Sequence, residues 1–356
     1  MVIILKHSLN FDKSDSNYIL LKEIFKIIDL RKSEQIIASQ GINNIKKFTD
    51  ALKILFISIF FGYDISYVIN EVNSKNKLRK EFNISNKFES QNFYEYIARY
   101  DAKTLLKISN LILNNLNRPK KRGKKLFIVD GTSIQLDINF LVKKQSKKYL
   151  EKIGLKWAYS KSKGYYIGFK ATLMLDHDSA KPVCLIIHNG SPNDTKIFDE
   201  ILQKAMKSRV IKQGDIIIFD KGYYSYKNYV KGILDYKIVP FIFPKEKFNH
   251  QKLETELNYP LEIFNPKTNT RKEMLKFQAL KKSLFEKLNN WKKYKPIRGK
   301  IEDFFKLCKE GLSMKKIHRY TMESVFKHTI LNVFLAGLIT ALGYNTKTDL
   351  QRLSEF

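Results

Sequence analysis

Two short apolar runs, each closed by an aspartate with a glycine just behind it, constrain this chain more than any other feature. Leu126–Asp130 reads LFIVD with Gly131 next, and Ile216–Asp220 reads IIIFD with Gly222 two residues on. Unbroken apolar runs of this length, bounded by turn residues, predict strands buried in an α/β sheet. Strand ends are where such a sheet presents polar groups to a ligand. Carboxylates on neighbouring central strands repel unless a cation lies between them. A site built from oxygens alone suits Mg²⁺ or Mn²⁺. On the strands alone, two ordinary turn aspartates explain the pattern equally well.

Around these runs the chain divides in two. Residues 17–120 carry apolar residues at three-to-four spacing, as in YILLKEIFKIIDL and FTDALKILFISIFFGY, which predicts helices throughout. Gly62 marks a helix end, and Asp64 is placed to cap the next helix. A basic linker with Pro119 and Gly123, NRPKKRGKK (117–125), follows. It implies an all-α N-terminal domain over 1–120 and an α/β domain over 121–356. In the second part LFIVDGTSIQLD predicts a strand and YYIGFKATLMLD with PVCLIIHNG a hairpin. Asn193 or Asp194 caps a helix after them, and DIIIFDKGYYS and YKIVPFIFP predict further strands. The expected domain has a mixed sheet. Residues 245–295, polar and broken by prolines before turning into a basic helix, read as an insertion.

Charge narrows the partners. Lys and Arg total 65 against 35 Asp and Glu, a formal charge of +30. An excess of that size needs a polyanion, and nucleic acid is the commonest, unless the surplus lysines are compositional drift. The two cysteines, Cys184 and Cys308, stand alone in sequence, which excludes a CxxC zinc or redox pair and fits a reducing cytoplasm. The apolar stretch Ile330–Gly343 has 14 residues. That falls short of the ~20 a membrane span needs, so a buried core helix is expected and no membrane association.

A third acid sits on KKYKPIRGKIEDFFKLCKEGL (292–312), a helix from about Ile297. Arg298, Glu302 and Lys309 follow one another at steps of four and seven, which places them on one helical face. An acid between two cations is kept ionised; the plainer alternative is a surface ion pair between Arg298 and Glu302. His177, His188 and His328 lack metal-ligand spacing and read as surface or strand-end histidines. Trp157, in the loop LKWAYSKSKGYY, reads first as a packing residue and second as a platform for an unpaired base.

These residues carry a resemblance. Arg298-x3-Glu302-x6-Lys309 resembles the Tyr-x2-Arg-x3-Glu-x6-Lys signature of the DDE transposases of the insertion sequence 4 superfamily, with Tyr294 one residue further out than the pattern. IFDKGYYS resembles the group's second-aspartate motif, IVDGTSI its first, and HNGSPNDTKIFDEIL its intervening segment. Asp220 lies 90 residues after Asp130, and Glu302 lies 82 after Asp220. The similarity covers roughly residues 125–343, with a weaker echo at LKILFISIFFGYDISYVINEV.

The resemblance implies a ribonuclease H-like fold and a catalytic set of Asp130, Asp220 and Glu302 holding two Mg²⁺ or Mn²⁺ ions. Tyr294, Arg298 and Lys309 are then implied as DNA contacts. The implied activity is strand cleavage and transfer on double-stranded DNA, at terminal inverted repeats and a target, by a homodimer in the synaptic complex. A non-transposing nuclease of the same fold and a transposase-derived DNA-binding protein are the alternatives.

Overall fold

The computed structural model describes residues 15–116, 123–136, 147–152, 154–160, 164–258, 270–315, 317 and 321–355. Among the described residues seven helices come first: α1 (Ser16–Ile28), α2 (Arg31–Ala38), α3 (Ile45–Phe61), α4 (Ile65–Ser74), α5 (Asn76–Glu81), α6 (Ser90–Ala98) and α7 (Ala102–Asn115). Their ends follow local chemistry. Asn44 and Asp64 cap α3 and α4 by accepting from the Lys47 and Ser66 amides at 2.9 and 2.8 Å. Gly62 closes α3 in the left-handed conformation, at φ 66°.

The sheet has six strands: β1 (Leu126–Gln135), β2 (Trp157–Ser160), β3 (Gly164–Asp176), β4 (Pro182–Asn189), β5 (Ile216–Phe219) and β6 (Val239–Ile242). Its order is β2-β3-β1-β5-β6, with β4 paired to β3. β1, β3 and β4 run antiparallel in sequence, whereas β5 and β6 run parallel to β1, so the sheet is mixed. Helices α8 (Lys147–Lys152), α9 (Asp194–Lys207) and α10 (Tyr226–Leu234) lie between strands. After the sheet come α11 (His250–Asn258), α12 (Thr270–Asn289), α13 (Lys295–Lys306), α14 (Met322–Ala341) and α15 (Lys347–Arg352). Helices α11 and α12 fall within the stretch read as an insertion.

Alternation along β1 splits the core. Phe127 and Val129 point to one face, where they join Ile218, Phe219, Phe241 and the apolar sides of α9, α10 and α12. Ile128 and Ile134 point to the other, into a cluster that runs without a break from Tyr18 to Leu353. The N-terminal helices therefore bury their apolar faces against the sheet and the last helices as well as against one another. Helix α14 is the centre of that second layer. Thr329–Thr340 is buried residue after residue, packed between α7, α3 and β4. This is the core helix expected at Ile330–Gly343.

The structure departs from the sequence reading at β2. Trp157–Ser160, expected as loop, pairs antiparallel with the start of β3. Its residues alternate so that only Ala158 is buried, which left no apolar run to read. Most of the basic linker (117–122) and part of the 245–295 stretch (259–269) lie outside the described residues.

A buried charge pair pins the N-terminal helices. Lys53 is fully buried, pairs with Asp29 at 2.8 Å and donates to the Phe82 and Asn83 carbonyls at 3.0 Å each. Asp50, one turn earlier, accepts from the Ser85 and Asn86 amides at 2.9 and 2.8 Å and from Asn86 Nδ2 at 2.7 Å. Asp50→Ala leaves two amides of that segment without an acceptor and is expected to cost about 2–4 kcal/mol. Urea unfolding measures it, and a loss within experimental error would show that the Phe82–Asn86 segment is held by other contacts.

Candidate active site

Asp130 and Asp220 sit where the parallel pairing of β1 with β5 stops, one residue beyond the last pair, Val129 with Phe219. Asp220 ends its strand. Asp130 does not, because β1 continues to Gln135 along its antiparallel neighbour β3. Each carboxylate is steadied by a local amide: Gly131 N donates to Asp130 at 2.8 Å and Gly222 N to Asp220 at 3.4 Å. Helix α13 crosses this edge with Ile301, Phe304 and Phe305 buried, leaving Glu302 exposed on its other side.

Arg298 brings the three acids together. Its guanidinium lies 3.2 Å from Asp130 Oδ2 and 3.3 Å from Asp220 Oδ1. It also lies 2.9 Å from Glu302 Oε1. The Arg298–Glu302 pair is thus one arm of a four-residue cluster and not an isolated surface bridge. Burial pushes the Asp130 carboxyl up to about 6, with Arg298 opposing that rise and the neighbouring Asp220 adding to it. Burial also works against the charge on Arg298, yet Asp130, Asp220 and Glu302 together hold the guanidinium above its ordinary value.

Beneath the acids lies an ion pair whose trace in the sequence is only the glycine behind each aspartate. Lys170, on β3, donates to the Pro192 carbonyl at 3.0 Å and to Asp194 Oδ1 at 2.6 Å. Asp194 opens α9, whose cap is Asn193. A methyl group on Gly222 would lie 2.6 Å from Asp194 Oδ2, and one on Gly131 would lie 2.7 Å from Lys170 Cε. The glycines behind the two aspartates therefore leave room for one ion pair that lies against both acid-bearing segments. The Asp-Gly and Asp-x-Gly spacing was the visible signal. Tyr223, fully buried beside this pair, has its phenol pushed well above the ordinary value by burial and then by Asp194 and Asp130.

The other predicted residues are placed differently. Tyr294 ends a 3₁₀ turn and packs on Phe241, ring centroids 5.0 Å apart, with Lys287 Nζ 5.9 Å from its ring. Lys309 falls in a widened π turn, Leu307–Gly311, in which Leu312 N donates to Leu307 O at 2.9 Å. It therefore departs from the α-helical register that would align it with Arg298 and Glu302. His177 and His188 pair with Asp178 and Glu200 at 3.0 and 2.7 Å, and His328 is half-buried on α14. Trp157 is 41% exposed, which overturns its reading as a packing residue. Cys184 and Cys308 are both buried free thiols. The donor set at the acids is all oxygen and suits a hard divalent cation. Among the described residues no three Asp, Glu, His or Cys side chains form a ligand group by themselves, because Arg298 stands between these acids.

A family model described as the transposase DDE domain matches residues 121–338, more than half of the chain and all of this site. The chain belongs to the DDE transposase-domain family. No curated protein matches it. Among solved structures it is similar to the piggyBac transposase synaptic complex with hairpin DNA. That similarity has 11% identity and a TM-score of 0.44, and it covers 95% of this chain and 79% of that one. As a DDE transposase domain the chain falls in a class of enzymes that generally use divalent metal ions.

Two glycines of this domain make opposite predictions. Gly222→Ala drives a methyl group into the Asp194 side chain and is expected to cost about 1–3 kcal/mol. Gly299 lies inside α13, next to Arg298, and a methyl group there would meet nothing within 4 Å. Gly299→Ala is therefore expected to add about 0.5–1 kcal/mol of stability. Thermal unfolding of both variants tests the pair, and a destabilised Gly299→Ala would reveal a packing role that the geometry lacks.

Proposed function

We propose that this chain is a DNA transposase of the insertion sequence 4 superfamily, with a ribonuclease H-like catalytic domain over 121–356. One observation carries the reading: three acids from segments far apart in sequence meet around one guanidinium. Two neutral turn aspartates and a surface glutamate would have no reason to share a counter-charge. The family match over 121–338 supports the same chemistry. The partner is double-stranded DNA, at terminal inverted repeats and at a target, and the acting form is a homodimer on paired ends. The helices of 1–120 serve end binding or dimer contacts, and the protein works in the cytoplasm on nucleoid DNA.

In this reading Asp130, Asp220 and Glu302 hold two divalent ions, Mg²⁺ or Mn²⁺. Ions bound there would supply Lewis-acid activation of water or a 3′ hydroxyl and stabilisation of the leaving oxygen. The protein's own groups do the rest. Asp130 and Asp220 are fixed by their glycine amides and by the Lys170–Asp194 pair beneath, so the acids are aimed before DNA arrives. Arg298 is shared among carboxylates, and its planar fork suits equally a bidentate grip on a phosphate entering beside them. Its Nε is buried with no hydrogen-bond partner among the described residues, a donor still to be satisfied. Gly299, bare on the same helix, lets a nucleic-acid backbone come close to Arg298. Lys309 acts further along the helix as a point charge on phosphate, and Tyr294 contacts DNA near the cut from its seat on Phe241.

The test is cleavage of a labelled duplex bearing the element's own terminal repeat, with Mg²⁺ or Mn²⁺, by wild type and by Glu302→Ala. Glu302 is largely exposed, so the variant keeps its fold. Cleavage at the repeat boundary is expected to fall by more than about a hundredfold while binding persists. Binding without cutting by both proteins would make this a transposase-derived DNA-binding protein. A variant that cuts as well as wild type would sink the assignment of Glu302.

A further inference from the structure

The strand missed in sequence carries an unusual surface. Among the described residues five aromatic side chains are exposed, and four of them, Tyr149, Trp157, Tyr159 and Tyr165, fall within 17 residues on α8 and the β2–β3 hairpin. Tyr159 and Tyr165 are cross-strand partners, so they share a face, and Trp157 stands two residues from Tyr159 on that face. Their exposures are 41% for Trp157, 54% for Tyr159 and 78% for Tyr165. The Tyr159 and Tyr165 rings lie 5.2 Å apart with 57° between their planes. The opposite face is anchored, with Ala158 and Tyr166 buried. Asn189 Nδ2 donates to the Gly154 carbonyl at 2.7 Å and Gly168 N to Lys156 O at 3.3 Å, which ties the hairpin to β4 and β3. The rings therefore stand on a rigid strand pair.

Charge selects the occupant. From Lys147 to Tyr165 the sequence has six lysines and one acid, Glu151. Of these, Lys148, Lys152 and Lys156 are exposed. A second copy of this chain, itself at +30, would bring like charge to the same face. Exposed aromatic side chains on a strand pair, in a segment rich in lysine, match the surface that takes unpaired nucleotides, where rings stack on bases and cations track phosphates. Leu173 pairs with Asp130, and Tyr165 lies eight residues along β3 from it. At strand rise that is up to about 27 Å, so the platform is separate from the acids and roughly eight nucleotides of duplex away.

From this we infer a second nucleic-acid site: Trp157, Tyr159 and Tyr165 form a stacking platform for single-stranded DNA, distinct from the acidic centre. It rests on the reading of the chain as a DNA-processing protein, and it adds a class of ligand, unpaired nucleotides.

The experiment is fluorescence anisotropy with two labelled probes, a dT20 oligonucleotide and a blunt 30-base-pair duplex. Wild type is compared with Tyr159→Ala, Tyr165→Ala and the matching Phe variants. Each Ala variant is expected to lose about tenfold affinity for dT20, with duplex affinity unchanged and the Phe variants close to wild type. Unchanged melting temperatures in all four show that only an exposed ring was altered. Wild type that binds both probes, with variants that also bind both unchanged, overturns the platform alone. Equal losses on both probes overturn it too, since stacking on unpaired bases would not read out on a blunt duplex. A dimer that falls to monomers in the Ala variants, with dT20 affinity intact, gives the face to a second copy. Wild type that binds neither probe removes the underlying DNA reading, and the platform with it.

Discussion

Charge balance around Arg298 holds the candidate site of this protein together. Asp130 and Arg298 are 168 residues apart in sequence and joined by one hydrogen bond. Asp130 is nearly buried and beside Asp220, so without a cation its ionised form would be strongly disfavoured. The guanidinium opposes that penalty at Asp130, and it pairs with Asp220 and Glu302 at the same time. Helix α13 is thereby fixed by more than its apolar side, and the placement of Glu302 follows from the same contact. Removing Arg298 would leave like charges facing one another, which is a different injury from losing a surface ion pair.

Rigidity behind the acids has a second source, and it explains a sequence pattern that looked like turn chemistry. A glycine after a strand-end aspartate is ordinarily read as freedom to turn. Here Gly131 and Gly222 have no positive φ, so backbone freedom is not what they supply. They supply space, because Lys170 and Asp194 press against the positions where their side chains would be. The ion pair couples β3, the start of α9 and the turn after β5, and it lies on the sheet face opposite the carboxylates. The acids are set from one side by Arg298 and from the other by this pair.

Much of the architecture was legible because burial leaves a period. The apolar runs of β1 and β5, the hairpin of β3 and β4, and the core helix α14 all stood out by composition alone. So did Asp130, Asp220 and Glu302 as candidates, through strand position and helical spacing. What stayed hidden depends on contacts across the chain. Lys170 and Asp194 meet only after β3 and α9 pack. The π turn that shifts Lys309 has no local marker, since the sequence around Cys308 suits an α-helix equally well. Strand β2 hides its single buried residue, Ala158, among aromatics and lysines that read as loop. Trp157 was misjudged for that reason: a tryptophan is usually core, and only pairing with β3 shows that this one faces out.

The surplus of positive charge also divides once the structure is known. Lys53, Lys181, Lys204 and Lys300 turn inward and donate to backbone carbonyls, of Phe82 and Asn83, Leu113, Leu185 and His177 respectively. These lysines are structural and offer little to a polyanion. Compositional drift toward lysine could have produced some of them, with the fold then using the extra donors. It does not account for three exposed rings on β2 and β3 in a segment, Lys147–Tyr165, that has six lysines and a single acid. Nor does it explain a guanidinium held among three carboxylates beside a glycine that weakens its own helix. Net charge alone argued for a nucleic-acid partner; the placement of Arg298 among the acids and of exposed rings in a lysine-rich segment gives the proposed partner particular residues to test.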